Sequence, residues 1–258
     1  MKKKKIKRKS KSLPKLLKKK SVKKDKKSRV AAGIKNFDKL IEGGFEKNST
    51  NMIVGMAGSG KSIFATQFLI EGMRKGEKCL YVTFEEKKER FYQNMLDFGW
   101  NLEEYEKKGL FIFLEYTPTK VKIMLEEGGG QIENIVVSNK VSRMAIDSIT
   151  SFALLFEDEL ARREAALVLF NMIRQWSCTS ILTLEEEPSE NKESASKAME
   201  FESDSIILLH YIRQNKSRNR YLEILKMRGT KHSSGVYPLQ IGKKGFIVSS
   251  RPVKNFDN

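Results

Sequence analysis

Apolar residues along this chain come in short compact runs separated by amphipathic stretches, and that alternation sets the expected elements. Residues 30–45 (VAAGIKNFDKLIEGGF) read as a lead-in: a turn at Gly33-Ile34, a short helix over 37–41, and Gly43-Gly44 as its stop. Met52-Ile53-Val54 predicts a first strand that starts a few residues earlier. Phe64, Phe68, Leu69 and Met73 recur at helical spacing and predict a helix over 61–75. Residues 78–84 (KCLYVTF) read as a second strand. A helix over 87–98 follows, carrying Phe91, Met95 and Phe98, with Gly99 as its stop.

Residues 110–113 predict a third strand. Gly128-Gly129-Gly130 then breaks 115–137 into a helix or irregular crossover on each side. A strand over 143–148 leads to a helix over 159–175, whose apolar side includes Ala161, Leu167, Leu169, Met172 and Ile173. A strand over 178–183 ends at Thr183. Residues 185–203, acidic and Ser-rich, read as a mobile loop with a short helical piece, and runs at 205–209, 221–226, 237–241 and 245–249 as antiparallel or edge-like strands. Buried runs alternating with helices predict an α/β fold, a mainly parallel sheet covered on both faces. In such a fold ligands bind beyond the carboxyl ends of the strands, where Gly55, Glu85, Asp147 and Thr183 all fall.

Charge divides the chain. Residues 1–29 hold 17 Lys/Arg and one acid, Asp25, leaving only about +1 of the formal +17 for the rest. The expected organisation is a basic, disordered tail over 1–29 and one domain over 30–258. The tail reads either as a polyanion-binding arm for RNA, DNA or anionic lipid, or as a solvated extension. The near-neutral body argues against a broadly basic nucleic-acid surface. Cys79 and Cys178 form no metal-ligand pattern with His210 and His232 and read as core residues in a reducing compartment. No stretch approaches the ~20 apolar residues of a transmembrane helix, and the N-terminus has no secretory h-region. The expected location is cytoplasmic.

The candidate chemistry begins at Gly55-Met56-Ala57-Gly58-Ser59-Gly60-Lys61-Ser62, between the first strand and its helix. Its three glycines let the backbone wrap a tetrahedral anion with N–H groups pointing inward. Lys61 is spaced to reach terminal phosphates, and the Ser62 hydroxyl to ligate Mg²⁺. The following helix aims its positive end at the same place. Asp147, after the run Met144-Ala145-Ile146, can hold the same Mg²⁺ directly or through water. At the end of the second strand, Glu85 is the candidate base that orients an attacking water, with Glu86 supporting it or approaching the metal.

This constellation resembles the KaiC family within the RecA-like P-loop ATPases, over about residues 29–253. The matching pieces are Gly33-Ile34, Phe37-Asp38 and Gly43-Gly44, the phosphate loop, Thr83-Phe84-Glu85-Glu86, Leu96 with Phe98-Gly99-Trp100, Ile146-Asp147-Ser148, Leu182-Thr183, the run from Lys226 to His232 (KMRGTKH), and Tyr237-Pro238. The resemblance implies a RecA-like core that binds and hydrolyses ATP with Mg²⁺. It implies a homo-oligomeric ring, commonly a hexamer; the expected output of such an ATPase is regulatory or signalling, with a protein partner that the sequence does not identify. It further implies that Lys226 and Arg228 contact phosphates bound by a neighbouring subunit and that His232 lies near the sugar or base. ATP binding carries over more firmly than clock function or autokinase activity, because this chain has one such domain where the clock proteins have two.

Two other readings compete. One is a RecA relative acting on DNA or RNA; against it, residues 185–203 hold seven Glu against Lys192 and Lys197, with Phe201 as the one aromatic. The other is a nucleotide-gated interaction module with negligible turnover.

Overall fold

The structure, a computed structural model, describes residues 28–117, 119, 120, 123, 130–153, 155, 156, 158–186, 199, 201–214, 216–254 and 256. The expected basic arm and most of the expected acidic loop lie outside the described residues. A short ribbon of β1 (Arg29–Val30) and β2 (Phe45–Glu46) brackets α1 (Phe37–Leu40) and leads into β3 (Thr50–Gly55). All six residues of β3 are buried, because this strand lies inside a nine-stranded sheet.

On one side of β3 come β7 (Thr179–Glu185), β6 (Arg143–Asp147), β4 (Cys79–Thr83) and β5 (Phe111–Glu115), every pair parallel. On the other side β8 (Ser205–Gln214) is also parallel to β3 and is followed by antiparallel β9 (Ser217–Met227), β10 (Val236–Gly242) and β11 (Gly245–Val248). The expected α/β class, mainly parallel with antiparallel C-terminal strands, is the observed one.

The period of two along each central strand divides the core. Ile53, Tyr81 and Ala145 face a cluster packed by α2 (Lys61–Arg74), α3 (Lys88–Leu96) and α4 (Leu102–Lys107). Met52, Val54, Leu80, Val82, Met144 and Ile146 face the opposite cluster, packed by α5 (Gly130–Asn139) and α7 (Glu159–Gln175), with α6 (Thr150–Ala153) contributing Phe152. Burial on both faces is why these strands read as unbroken apolar runs. Among the described residues no helix is long and apolar enough to cross a membrane.

Several elements depart from the sequence reading, the β8–β9 hairpin and α4 among them. The hairpin β8–β9 is longer than the runs at 205–209 and 221–226, because its tip (Arg213, Gln214, Ser217, Arg218, Asn219) leaves the core and keeps strand pairing without apolar alternation. β8 is interior rather than an edge, since β3 claims its second side. α4 escaped notice because it buries only Leu102; its Asn101 side chain caps the Glu104 amide.

One buried charge ties the lead-in to the sheet. Arg143, 1 % exposed, donates to Glu77 Oε2 at 2.5 Å and to the carbonyls of Ala31 and Phe68 at 2.8 Å each, while stacking on the Phe68 ring. Removing it strips a buried donor from the Ala31 and Phe68 carbonyls and leaves the Glu77 carboxylate without its ion pair. Arg143→Ala is therefore expected to cost on the order of 3 kcal/mol, read as a fall in Tm of roughly 10 °C by circular dichroism. An unchanged melt would show that this cluster contributes nothing.

Candidate active site

Gly55 ends β3, and the chain turns through Met56–Gly60 before α2 starts at Lys61. Gly58 and Gly60 have φ of 79° and 104°, in the left-handed region that glycine tolerates. The loop is also walled in. A Cβ on Gly60 would run into the Phe246 ring of β11, and one on Gly55 would lie 2.5 Å from the Leu209 carbonyl of β8. Phe246 is itself held by α2, since its amide donates to Gln67 Oε1 at 2.6 Å. Inside the loop, Ser59 Oγ is buried with no hydrogen-bond partner among the described residues. Lys61 Nζ donates to the carbonyls of Gly55 (2.9 Å) and Met56 (3.2 Å) and lies 3.4 Å from Glu185 Oε2. An ammonium folded onto its own loop, two left-handed glycines and a helix start form a cradle suited to a phosphate chain.

The acidic side comes from the next strands. Thr83, at the end of β4, accepts from the amides of Glu85 and Glu86 at 3.3 and 3.2 Å, bending the chain so that the pair leaves the strand over the loop. Glu85 Oε1 accepts from Ser151 at 2.9 Å and Ser148 at 3.3 Å. Glu86 Oε1 accepts from Asn94 of α3 at 3.0 Å. Burial raises the Glu86 carboxyl above its usual range and the Asp147 charge adds to this, while Asn94 and Arg90 oppose it.

Asp147, which precedes a cis peptide to Ser148, accepts from Tyr81 through Oδ2 at 2.5 Å and from Thr183 through Oδ1. Burial, then the Asp147 charge, pushes the Tyr81 hydroxyl well above its ordinary range, partly offset by Ser62. Ser62 and Asp147 thus flank one spot and present a hydroxyl and a carboxylate, an all-oxygen set that suits Mg²⁺.

Lys61, Ser62, Glu85, Glu86 and Asp147 all line one cleft of about 560 Å³, beside Ala57, Gly58 and Gly60 of the loop. Met95, Phe98 and Ile241 give it an apolar wall. Arg220 of β9 closes another side, donating to the Gly58 carbonyl at 2.8 and 3.2 Å and stacking on Tyr211.

The family model for the KaiC ATPase matches residues 30–253. The chain belongs to the KaiC ATPase family. It is 32% identical over 228 residues to the circadian clock protein KaiC3 of Synechocystis, covering 85% of this chain and 45% of that protein. It is 30% identical over 225 residues to the circadian clock oscillator protein KaiC of Thermostichus vulcanus, covering 83% and 42%. A solved structure of a KaiC-like protein from Pyrococcus horikoshii superposes with a TM-score of 0.77 at 36% identity, covering 87% of this chain and 100% of that one. The chain spans less than half the length of these two curated clock relatives.

In this KaiC-family domain three expected nucleotide contacts stand apart from the cleft. Lys226 and Arg228 lie where β9 pairs with the start of β8 (Ser205↔Met227), whereas Arg220, at the phosphate loop, pairs with Tyr211. Eight residues of strand separate Arg220 from Arg228, roughly 25 Å. Lys226 Nζ and an Arg228 guanidinium nitrogen both approach the Phe201 carbonyl, at 3.5 and 2.5 Å. Arg228 lines a second, polar pocket of about 310 Å³ with Asn51, Asp204 and Ser205. His232 lies beyond β9 with Nδ1 3.0 Å from the Ser233 carbonyl. The KaiC-family reading had missed Tyr81, Arg90, Asn94, Ser151 and Arg220. Tyr81 shares a strand face with Thr83, but inside an apolar run it reads first as a packing residue. Arg220 carries no local signal and reaches the loop only through the hairpin pairing.

Gly60→Ala joins a disfavoured φ, costing roughly 1–3 kcal/mol, to a clash with Phe246. It is expected to weaken binding of a fluorescent ATP analogue at least tenfold while circular dichroism keeps the native spectrum. Wild-type affinity in that variant would mean that the loop tolerates a Cβ and is not held as described.

Proposed function

We propose that this chain is a Mg²⁺-dependent ATPase that works as a homo-oligomeric ring, hexameric by resemblance, with each ATP shared between two copies. The working unit is residues 30–258, with 1–29 as an appended basic tail, and the setting is cytoplasmic with a regulatory output. The observation that carries the reading is that the phosphate loop, both glutamates and Asp147 face one cleft.

The chemistry asked of these residues follows from their positions. The loop amides and the start of α2 bind the phosphate chain, and Lys61 leaves the carbonyls of Gly55 and Met56 for the better acceptor, a phosphate oxygen. Ser62 and Asp147 would hold Mg²⁺, which when bound neutralises charge on the phosphates. Glu85, pinned by Ser148 and Ser151, orients the attacking water and takes up its proton, while Glu86 is kept in place by Asn94. The separation of Lys226 and Arg228 from the chain's own phosphate loop supports a role against a neighbouring copy's nucleotide.

Glu85→Gln keeps shape and loses the base, so phosphate release is expected to fall by about 10²–10⁴-fold with ATP affinity within a few-fold of wild type. Equal turnover in both proteins would favour a nucleotide-gated module. A second test addresses sharing. Lys61→Ala and Arg228→Ala should each be inactive, yet an equal mixture allowed to exchange subunits should recover about a quarter of wild-type turnover, since that share of junctions is intact on both sides in a closed ring. No recovery in a mixture shown by mass to exchange would remove the shared site.

A further inference from the structure

Tyr81 is fully buried in the middle of β4, its ring 4.4 Å from that of Phe91 and stacked 5.7 Å from that of Phe113. An aromatic ring alone would serve that packing. The hydroxyl does something else: it donates to Asp147 Oδ2 at 2.5 Å, while Thr183 donates to Oδ1 of the same carboxylate. The parallel register makes this possible. β4 pairs with β6 so that Tyr81 is opposite Ala145 and Thr83 opposite Asp147, which leaves the long Tyr81 side chain to reach one step along the strand to the carboxylate. Thr183 arrives from β7, on the other side of β6, where Ile146 pairs with Leu182. Asp147 is therefore gripped from both flanking strands.

We propose that Tyr81 is a positioning residue for the metal-facing carboxylate: with Thr183 it fixes the orientation of Asp147 and occupies one lone pair on each of its oxygens, so that the remaining lone pairs are aimed at the cation site. With a lone pair left on each oxygen, Asp147 keeps the acceptor capacity that a hard divalent cation requires, in an orientation set by the two hydroxyls. Partners that orient such a carboxylate typically contribute 10–100-fold to metal affinity. The role rests on the metal–nucleotide site proposed above and adds to it a residue that touches neither metal nor substrate.

The test uses the full chain and Mn²⁺ as the probe, with free Mn²⁺ counted by electron paramagnetic resonance in the presence of a non-hydrolysable ATP analogue. Tyr81→Phe keeps the ring and removes the hydroxyl. It is expected to weaken Mn²⁺ binding by about tenfold, while affinity for the analogue in EDTA stays within twofold of wild type and the near-ultraviolet circular dichroism is preserved. Thr183→Val, which removes the other hydroxyl from a buried site, should move Mn²⁺ affinity in the same direction and serves if Tyr81→Phe does not fold. An unchanged Mn²⁺ midpoint in the folded variant overturns the proposal, as does an equal loss of metal-free nucleotide binding, which would mark Tyr81 as structural only. Wild-type protein that binds neither Mn²⁺ nor the analogue would overturn the ATPase reading itself, a result distinguishable from both.

Discussion

The structure depends on the register of its parallel strands. Gly55 pairs with Glu185, Ile53 with Thr183, and Thr83 with Asp147, so a carboxylate, a hydroxyl and the start of the phosphate loop reach the same edge of the sheet. A slip of one residue would turn every side chain on the shifted strand to the opposite face. It would exchange Tyr81, which reaches Asp147, for Leu80 or Val82, which pack against α5 and α7. The two-sided core excludes that slip, because both faces of β3, β4 and β6 are already matched to helices. The site is thus a consequence of how the core is filled.

Around that edge, elements distant in sequence supply the walls. β11 places Phe246 against Gly60, and Gln67 of α2 binds the Phe246 amide through Oε1 and the Gly33 carbonyl through Nε2 at 3.0 Å. The lead-in, the phosphate-loop helix and the last strand are therefore fastened at one residue. Arg143 adds a second tie at the next residue of α2, joining Ala31, Phe68 and, beyond the helix, Glu77. A helix pinned at its middle to the lead-in, the last strand and β6 can present a fixed start to a phosphate chain.

What could be read from the sequence follows from how local each signal is. The phosphate loop is eight contiguous residues whose function needs a strand before and a helix after, and both were legible from apolar spacing alone. Glu85, Glu86 and Asp147 could be placed because strand ends are marked by the switch from apolar to acidic. Tyr81 was hidden inside an apolar run, where an aromatic residue is first a packing residue and its hydroxyl leaves no trace in the pattern. Arg220 and Phe246 were invisible for a different reason: each reaches the loop through pairing between strands far apart in the chain. The extended tip of β8–β9 was missed because exposed strand residues such as Arg218 and Asn219 lose the apolar alternation that identifies a strand.

The same hairpin carries cations at two places far apart. Along β9, Arg220 sits at the phosphate-loop end of the sheet and Arg228 at the opposite end. An antiparallel pair that, among the described residues, runs on with one register shift at Ile206/Ile207 keeps the two roughly 25 Å apart. Arg220 lines the cleft of its own chain. If Arg228 and Lys226 act on a nucleotide at all, its phosphates must be held by a different copy of the protein.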